Sequence, residues 1–139
     1  MNWKLIFQLS LFGLAMGIAT VYVIPSNIEP AFWLVIFLIC AYAIARRTSA
    51  HFVNGLMLGI ANSIWIIAAH VLLFDRYVAN HAAEAAAMMK GPLASSPRVM
   101  MIVVGLLIGV VSGAIIGLLA LAAGKLIKTP RSPESKVTA

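Results

Sequence analysis

The sequence predicts an all-α membrane protein, a four-transmembrane-helix bundle with both termini in the cytoplasm. Three observations predict it. Of the 139 residues 63% are hydrophobic and only 10% charged, the apolar residues gather into four runs, and the basic residues fall almost entirely between or beyond those runs. A water-soluble domain carries about 25% charged residues, so lipid is the solvent for most of this chain. The net charge of +6 would suggest nucleic-acid binding in a soluble protein. Here it reads as membrane topology, and no nucleic-acid partner is expected.

A spanning helix needs about 20 apolar residues, and residues 3–24, 31–45, 52–74 and 99–123 supply four candidates. The first run follows Lys4 and resembles a signal peptide, but it exceeds an h-region of about 7–15 residues and reads as a retained helix. The second is short and must use its flanks. Arg46 and Arg47 extend it by snorkelling toward the headgroups, while Glu29 and Pro30 mark its other end. Boundary residues agree with these limits. Pro25 stops the first helix, Pro30 suits a first turn, Thr48 or Ser49 can cap the third helix, and Ser96-Pro97 suits the start of the fourth. Trp3, Trp33, Tyr22 and Tyr77 lie near span ends as interfacial anchors, with Trp65 deeper.

Orientation follows from the basic residues. Lys4, Arg46, Arg47, Lys125, Lys128, Arg131 and Lys136 fall on one side, and Arg76, Lys90 and Arg98 on the other. Seven against three places both termini inside, and the loop from Pro25 to Pro30, which has no basic residue, agrees. Residues 1–128 thus form one transmembrane domain. The tail, 129–139, has too little apolar surface to fold and is expected to be a disordered cytoplasmic segment.

The sizeable extramembrane segment, 75–97, begins with an alanine-rich stretch from Tyr77 to Lys90 without Gly or Pro. No breaker separates it from the third span, so the simplest expectation is a third helix extended outside the bilayer, from about Phe52 to Lys90. It would project about 20 Å. A kink near Asp75 or Asn80 is the alternative.

The most specific signal is a glycine zipper in the fourth span, Gly105, Gly109, Gly113 and Gly117. Each glycine costs a helix in water about 1 kcal/mol relative to alanine, so something must pack closely on that stripe. Lipid supplies no hydrophobic drive between helices, and close backbone approach replaces it. Gly13 and Gly17 repeat the pattern in the first span, and Gly55 and Gly59 in the third. Packing within one bundle accounts for all three, and oligomer formation through a remaining zipper face is compatible with it.

At 100° per residue Gly55, Gly59, Asn62, Ile66, His70, Tyr77, His81 and Glu84 share an arc of about 100° on the third helix. The stripe runs from small to polar. Asn62 and the neighbouring Ser63 are expected to face the bundle interior and bond across helices for about 0.6 kcal/mol each. The functional alternative is a polar pathway. His81 and Glu84 form an HxxE pair, and His70 and Asp75 are close in sequence. Yet His70 and His81 lie about 16 Å apart on a straight helix, so one metal ion cannot take both unless the helix breaks.

No Asp, Glu, Lys or Arg lies near the middle of any span, which disfavours coupled antiport. No nucleophile with a His and acidic partner, no HExxH, no phosphate-cradling loop and no haem-type His pair occurs. The single cysteine, Cys40, lies in an apolar run and cannot form an internal disulfide. Neither catalysis nor a cofactor is expected.

A short hairpin, a basic loop, the F-x-x-G-x-x-x-G run at Phe52, Gly55 and Gly59, an outward helical loop and glycine repeats ending in Gly124-Lys125 follow one another. This layout, over roughly Phe52 to Lys128, resembles uncharacterised small four-span bacterial inner-membrane proteins of the domain-of-unknown-function type. The alanine-rich stretch after His81 departs from it. The resemblance implies a bacterial inner-membrane location and assigns no activity. The expected role is a structural or interaction protein, an accessory subunit that assembles through glycine-lined helix faces with itself or with a larger membrane complex. The alternative is a small oligomeric permease or channel lined by Asn62, Ser63, His70 and Thr20.

Overall fold

The structure, a computed structural model, describes residues 1–91 and 93–127. The tail expected to be disordered, with Lys128, Arg131 and Lys136, lies outside the described residues. Six helices follow one another: α1 (Trp3–Tyr22), α2 (Glu29–Arg47), α3 (His51–Leu72), α4 (Phe74–Asn80), α5 (Ala82–Met88) and α6 (Pro97–Ile127). Among the described residues there is no strand. Four helices, α1, α2, α3 and α6, are long and apolar enough to cross a membrane.

Local chemistry sets the ends. Asn2 caps α1 by accepting from the Leu5 amide at 3.1 Å. At the other end Val23 and Ile24 both donate to the Ala19 carbonyl, so α1 closes before Pro25. The second span does take in its flanks. Pro30 lies in the first turn, and Glu29 and Arg46–Arg47 sit at the termini that favour their charges. With 31 residues α6 is about 46 Å long, well beyond a hydrocarbon core of about 30 Å.

The expected continuous helix from Phe52 to Lys90 does not form. The backbone leaves helical geometry at Leu73 (φ −104°, ψ 31°) and at His81 (φ −126°, ψ 57°). No Gly or Pro causes either break. Tertiary hydrogen bonds do. The last turn of α1 leaves carbonyls without helical partners, and His81 Nε2 bonds the Thr20 carbonyl at 2.8 Å while Asn80 Nδ2 donates to that of Val21. These contacts outweigh alanine's helix propensity. The stretch therefore folds back over the end of α1 instead of projecting.

In the bundle α3 is central, with α1 on one side and α6 on the other, and α2 lies mainly against α6. One core joins Met16 of α1, Ile36, Cys40 and Ile44 of α2, Leu58 of α3, and Ile116 and Ala120 of α6. A smaller cluster gathers Val21, Tyr77 and Met101 at the α4 end. The exterior inverts the pattern of a soluble protein. Leu107 is 63% exposed and Phe7 61%, while Ser10, Thr20, Asn54, Asn62 and Ser63 are buried. That is the distribution expected when lipid is the outer solvent.

All eight glycines of the three stripes lie at helix contacts. Cβ atoms on Gly55 and Gly59 would run into the backbones of Gly117 and Gly113, one on Gly113 would stand 2.5 Å from the Leu56 carbonyl, and one on Gly105 would stand 2.5 Å from Ile67. Gly109 receives the Ser63 side chain, Gly13 backs onto Asn62, and Gly17 onto Ile66 and Ala69. No glycine among the described residues has positive φ. Close approach, not backbone conformation, is what these positions require.

Candidate functional site

The polar stripe of α3 borders a cleft. In one half of the bundle α2 is sealed against α6 and α3 through Ile36, Cys40, Ile44, Ile116 and Ala120. In the other half a cavity of about 520 Å³ remains, within the range of about 300–1,000 Å³ typical of small-molecule sites. Its floor is α3 from Gly59 to His70. Trp33 and Phe37 of α2 form one wall and the first half of α6, around Met101 and Ile108, the other, with Glu84 and Met88 of α5 at the end. Apolar and sulfur-bearing side chains make up most of the lining.

Asn62 is the exceptional polar group. It is 4% exposed, borders the cleft, and neither its Oδ1 nor its Nδ2 has a hydrogen-bond partner. The expectation that Asn62 and Ser63 bond across helices is therefore corrected. Gly13 gives the Asn62 side chain room but offers no donor or acceptor, since a Cβ there would stand 2.7 Å from Oδ1. Ser63 donates to the Ile60 carbonyl of its own helix at 2.8 Å, the back-bond common for a helical serine.

Toward α4 the site becomes a ladder of rings. His70 meets Tyr77 with ring centroids 4.3 Å apart, and Tyr77 stacks on His81 at 4.4 Å and 11°. The helix break thus brings the two histidines to opposite faces of one tyrosine. Tyr77 fills the space between them, which is a stack and not a shared ligand set. Among the described residues no group of three or more His, Cys, Asp and Glu side chains is placed to hold a metal ion. His70 Nε2 lies 2.8 Å from the Thr20 hydroxyl, which also reaches the Met16 carbonyl at 2.9 Å. Thr20 stands behind His70 and does not line the cleft.

His81 is fixed from both ring nitrogens. A carbonyl only accepts, so Nε2 must donate to Thr20, and Nδ1 then faces the Ser26 hydroxyl at 2.7 Å. Glu84 Oε2 lies 4.0 Å from the same Nδ1. Ser26 has one proton to give. In the neutral imidazole state that proton goes to Nδ1; in the imidazolium state Nδ1 donates to Ser26, which can turn its proton to Glu84. A hydrogen bond from Ser26 holds the Glu84 carboxyl below its usual range. Burial, helped by the Glu84 and Glu29 carboxylates, pushes the Tyr77 phenol up to about 12.

Of the pathway residues read from sequence, Asn62, Ser63 and His70 come together on the cleft. The α2 contribution was missed. Glu29 accepts from Trp33 Nε1 at 3.0 Å, an i,i+4 pair whose spacing is visible in the sequence. That it faces α3 is not.

Fold and site together define a class: an all-helical chain with four helices apolar enough to cross a membrane and a cleft among three of them. Beyond that class, the chain matches no protein-family model, no curated protein and no solved structure.

Proposed function

We propose that this chain is a four-span membrane protein that takes a small amphipathic molecule into the cleft between α2, α3 and α6, as a binding protein or the binding unit of a small permease. The unpartnered amide of Asn62 carries the reading. A buried amide without partners costs about 1–3 kcal/mol, and a small molecule with one hydrogen-bonding group and an apolar body would satisfy it. A cleft of about 520 Å³ with mainly apolar walls suits such a body.

For placement, Lys4, Arg46, Arg47 and Lys125 at one end against Arg76, Lys90 and Arg98 at the other support cytoplasmic termini. The resemblance in layout supports the bacterial inner membrane. A self-assembling accessory role through the glycine faces ranks second, because the contacts within the chain already use all eight glycines.

Native mass spectrometry of the protein released from nanodiscs tests the proposal. The expected result is uptake of an amphiphile by the wild type and its loss in Asn62→Leu with folding intact. Equal uptake by both would remove the Asn62 argument. Flux into liposomes then separates a permease from a binding protein.

A further inference from the structure

The charges around the cleft are more selective than its volume. The chain carries ten basic and four acidic residues, yet none of the described lysines or arginines lines the cleft, whereas Glu29 and Glu84 do. The two carboxylates come from different elements, α2 and α5. Both also border a second, adjoining hollow near Ser26 and Leu34, together with Trp33 and Phe37. They therefore share a rim where one cavity passes into the other. Asp75, the other described acid, is turned to solvent, with its side chain 97% exposed and Arg98 3.9 Å away.

We infer that the cleft is selective for a lipophilic organic cation, its charged head at the Glu29–Glu84 rim and its apolar body along the α6 wall toward Asn62. This rests on the cleft being a binding site. The independent observation is the unpartnered, buried Asn62 amide at the far end of the same cavity. Its oxygen suits a donor or a cation's positive edge and its nitrogen an acceptor. Trp33 and Phe37, with rings 5.9 Å apart, present aromatic faces beside the carboxylates, where a cation is further stabilised. The field at this end is negative enough to act on the one phenol there, since both carboxylates oppose ionisation of Tyr77. Asn62 and His70 are eight residues apart on α3, about 12 Å along the helix, so the ligand is elongated. An anionic amphiphile would meet two carboxylates and no counter-charge, and is excluded on the same grounds.

The test compares three amphiphiles with one hydrocarbon chain: dodecyltrimethylammonium, neutral dodecyldimethylphosphine oxide and dodecanoate. Binding is measured to the full chain in phosphatidylcholine nanodiscs, with empty discs subtracted. The cation is expected to bind about tenfold more tightly than the neutral compound, and dodecanoate more weakly than either. Glu29→Gln and Glu84→Gln are each expected to lower affinity for the cation about five- to tenfold while leaving the neutral compound unchanged. Arg76→Gln, outside the cleft, serves as the control for a general surface-charge effect. Equal binding of all three amphiphiles by the wild type would overturn the charge selectivity and leave the binding site standing. No binding of any of them above empty discs would overturn both.

Discussion

Two buried asparagines on one helix divide the molecule. Asn54 and Asn62 both lie on α3 and are 0% and 4% exposed. Asn54 Oδ1 accepts from the Asn2 amide at 2.9 Å, and its Nδ2 donates to Thr48 Oγ1 at 3.1 Å and to the Ala50 carbonyl at 2.7 Å. It ties the start of α1 to the α2–α3 turn. Asn62, two helical turns on, binds nothing. Around Asn54 the bundle is closed by Leu58, Ile44, Ile116 and Ala120; around Asn62 it opens into the cleft. One residue type on one helix thus serves as a structural hub in the half that is sealed and as an unmet hydrogen-bonding group in the half that is not. Since unmet buried amides oppose folding, the open half is where the chain has kept something that stability alone would remove.

The largest effect is expected at the seam that holds both halves together. Gly113→Leu places a side chain into the Leu56 backbone, 2.5 Å from its carbonyl already at Cβ. Backbone cannot yield as a side-chain tip can, and the cost should exceed about 4 kcal/mol or abolish folding. Leu107→Ala on the same helix, at a position 63% exposed, should change stability by less than about 1 kcal/mol, because lipid replaces the lost contacts. Reversible unfolding from mixed micelles measures both. Comparable losses would mean that the glycine seam is not what holds α3 to α6.

The asparagines themselves come next. Asn54→Leu removes a donor and an acceptor that other buried groups depend on, and should cost about 2–3 kcal/mol. Asn62→Leu, nearly the same shape, removes an amide with no partner, and should be neutral or stabilise by about 1 kcal/mol or more. Opposite signs from one substitution on one helix are the expected signature. Equal destabilisation would show that Asn62 is satisfied in the membrane by water or by the chain, and the cleft reading would lose its support.

This division was only half legible in the sequence. Spans, caps and glycine stripes rest on local patterns, and Pro30, Pro97 and the four-residue glycine period mark them without tertiary knowledge. The fold-back at Leu73 and His81 was hidden, because its cause is a set of carbonyls on α1 some 60 residues earlier, at Thr20 and Val21. The site was hidden for a related reason. The 100° projection put Asn62 and His70 on one face, but whether that face meets a neighbour or a cavity depends on where α2 leaves α6. No periodicity in either helix encodes that divergence.

The smallest effect concerns how the open half is closed at its α5 end. Ser26, His81 and Glu84 join α5 to the α1–α2 loop, with Glu29 and Tyr77 the other titratable groups on this end of the cleft. The Glu84 carboxyl is held below its ordinary value of 4.5, first by the Ser26 hydrogen bond. A carboxyl depressed in the folded state adds stability that is complete above the unfolded value and is lost as pH falls through the lowered one. The hold on α5 should therefore be intact at neutral pH and weaken only below about 4.5. Because the side chain is 36% exposed, solvent screens the effect and α5 alone should respond, not the bundle. With the buried Cys40 replaced by alanine, an environment-sensitive dye on Ala86→Cys would report the change. Its emission should shift on acidification in the wild-type background and stay flat across the same range in Glu84→Gln. A shift that survives Glu84→Gln would move the acid response to His81 or Glu29 and leave the Ser26–Glu84 contact without a role in closing the cleft.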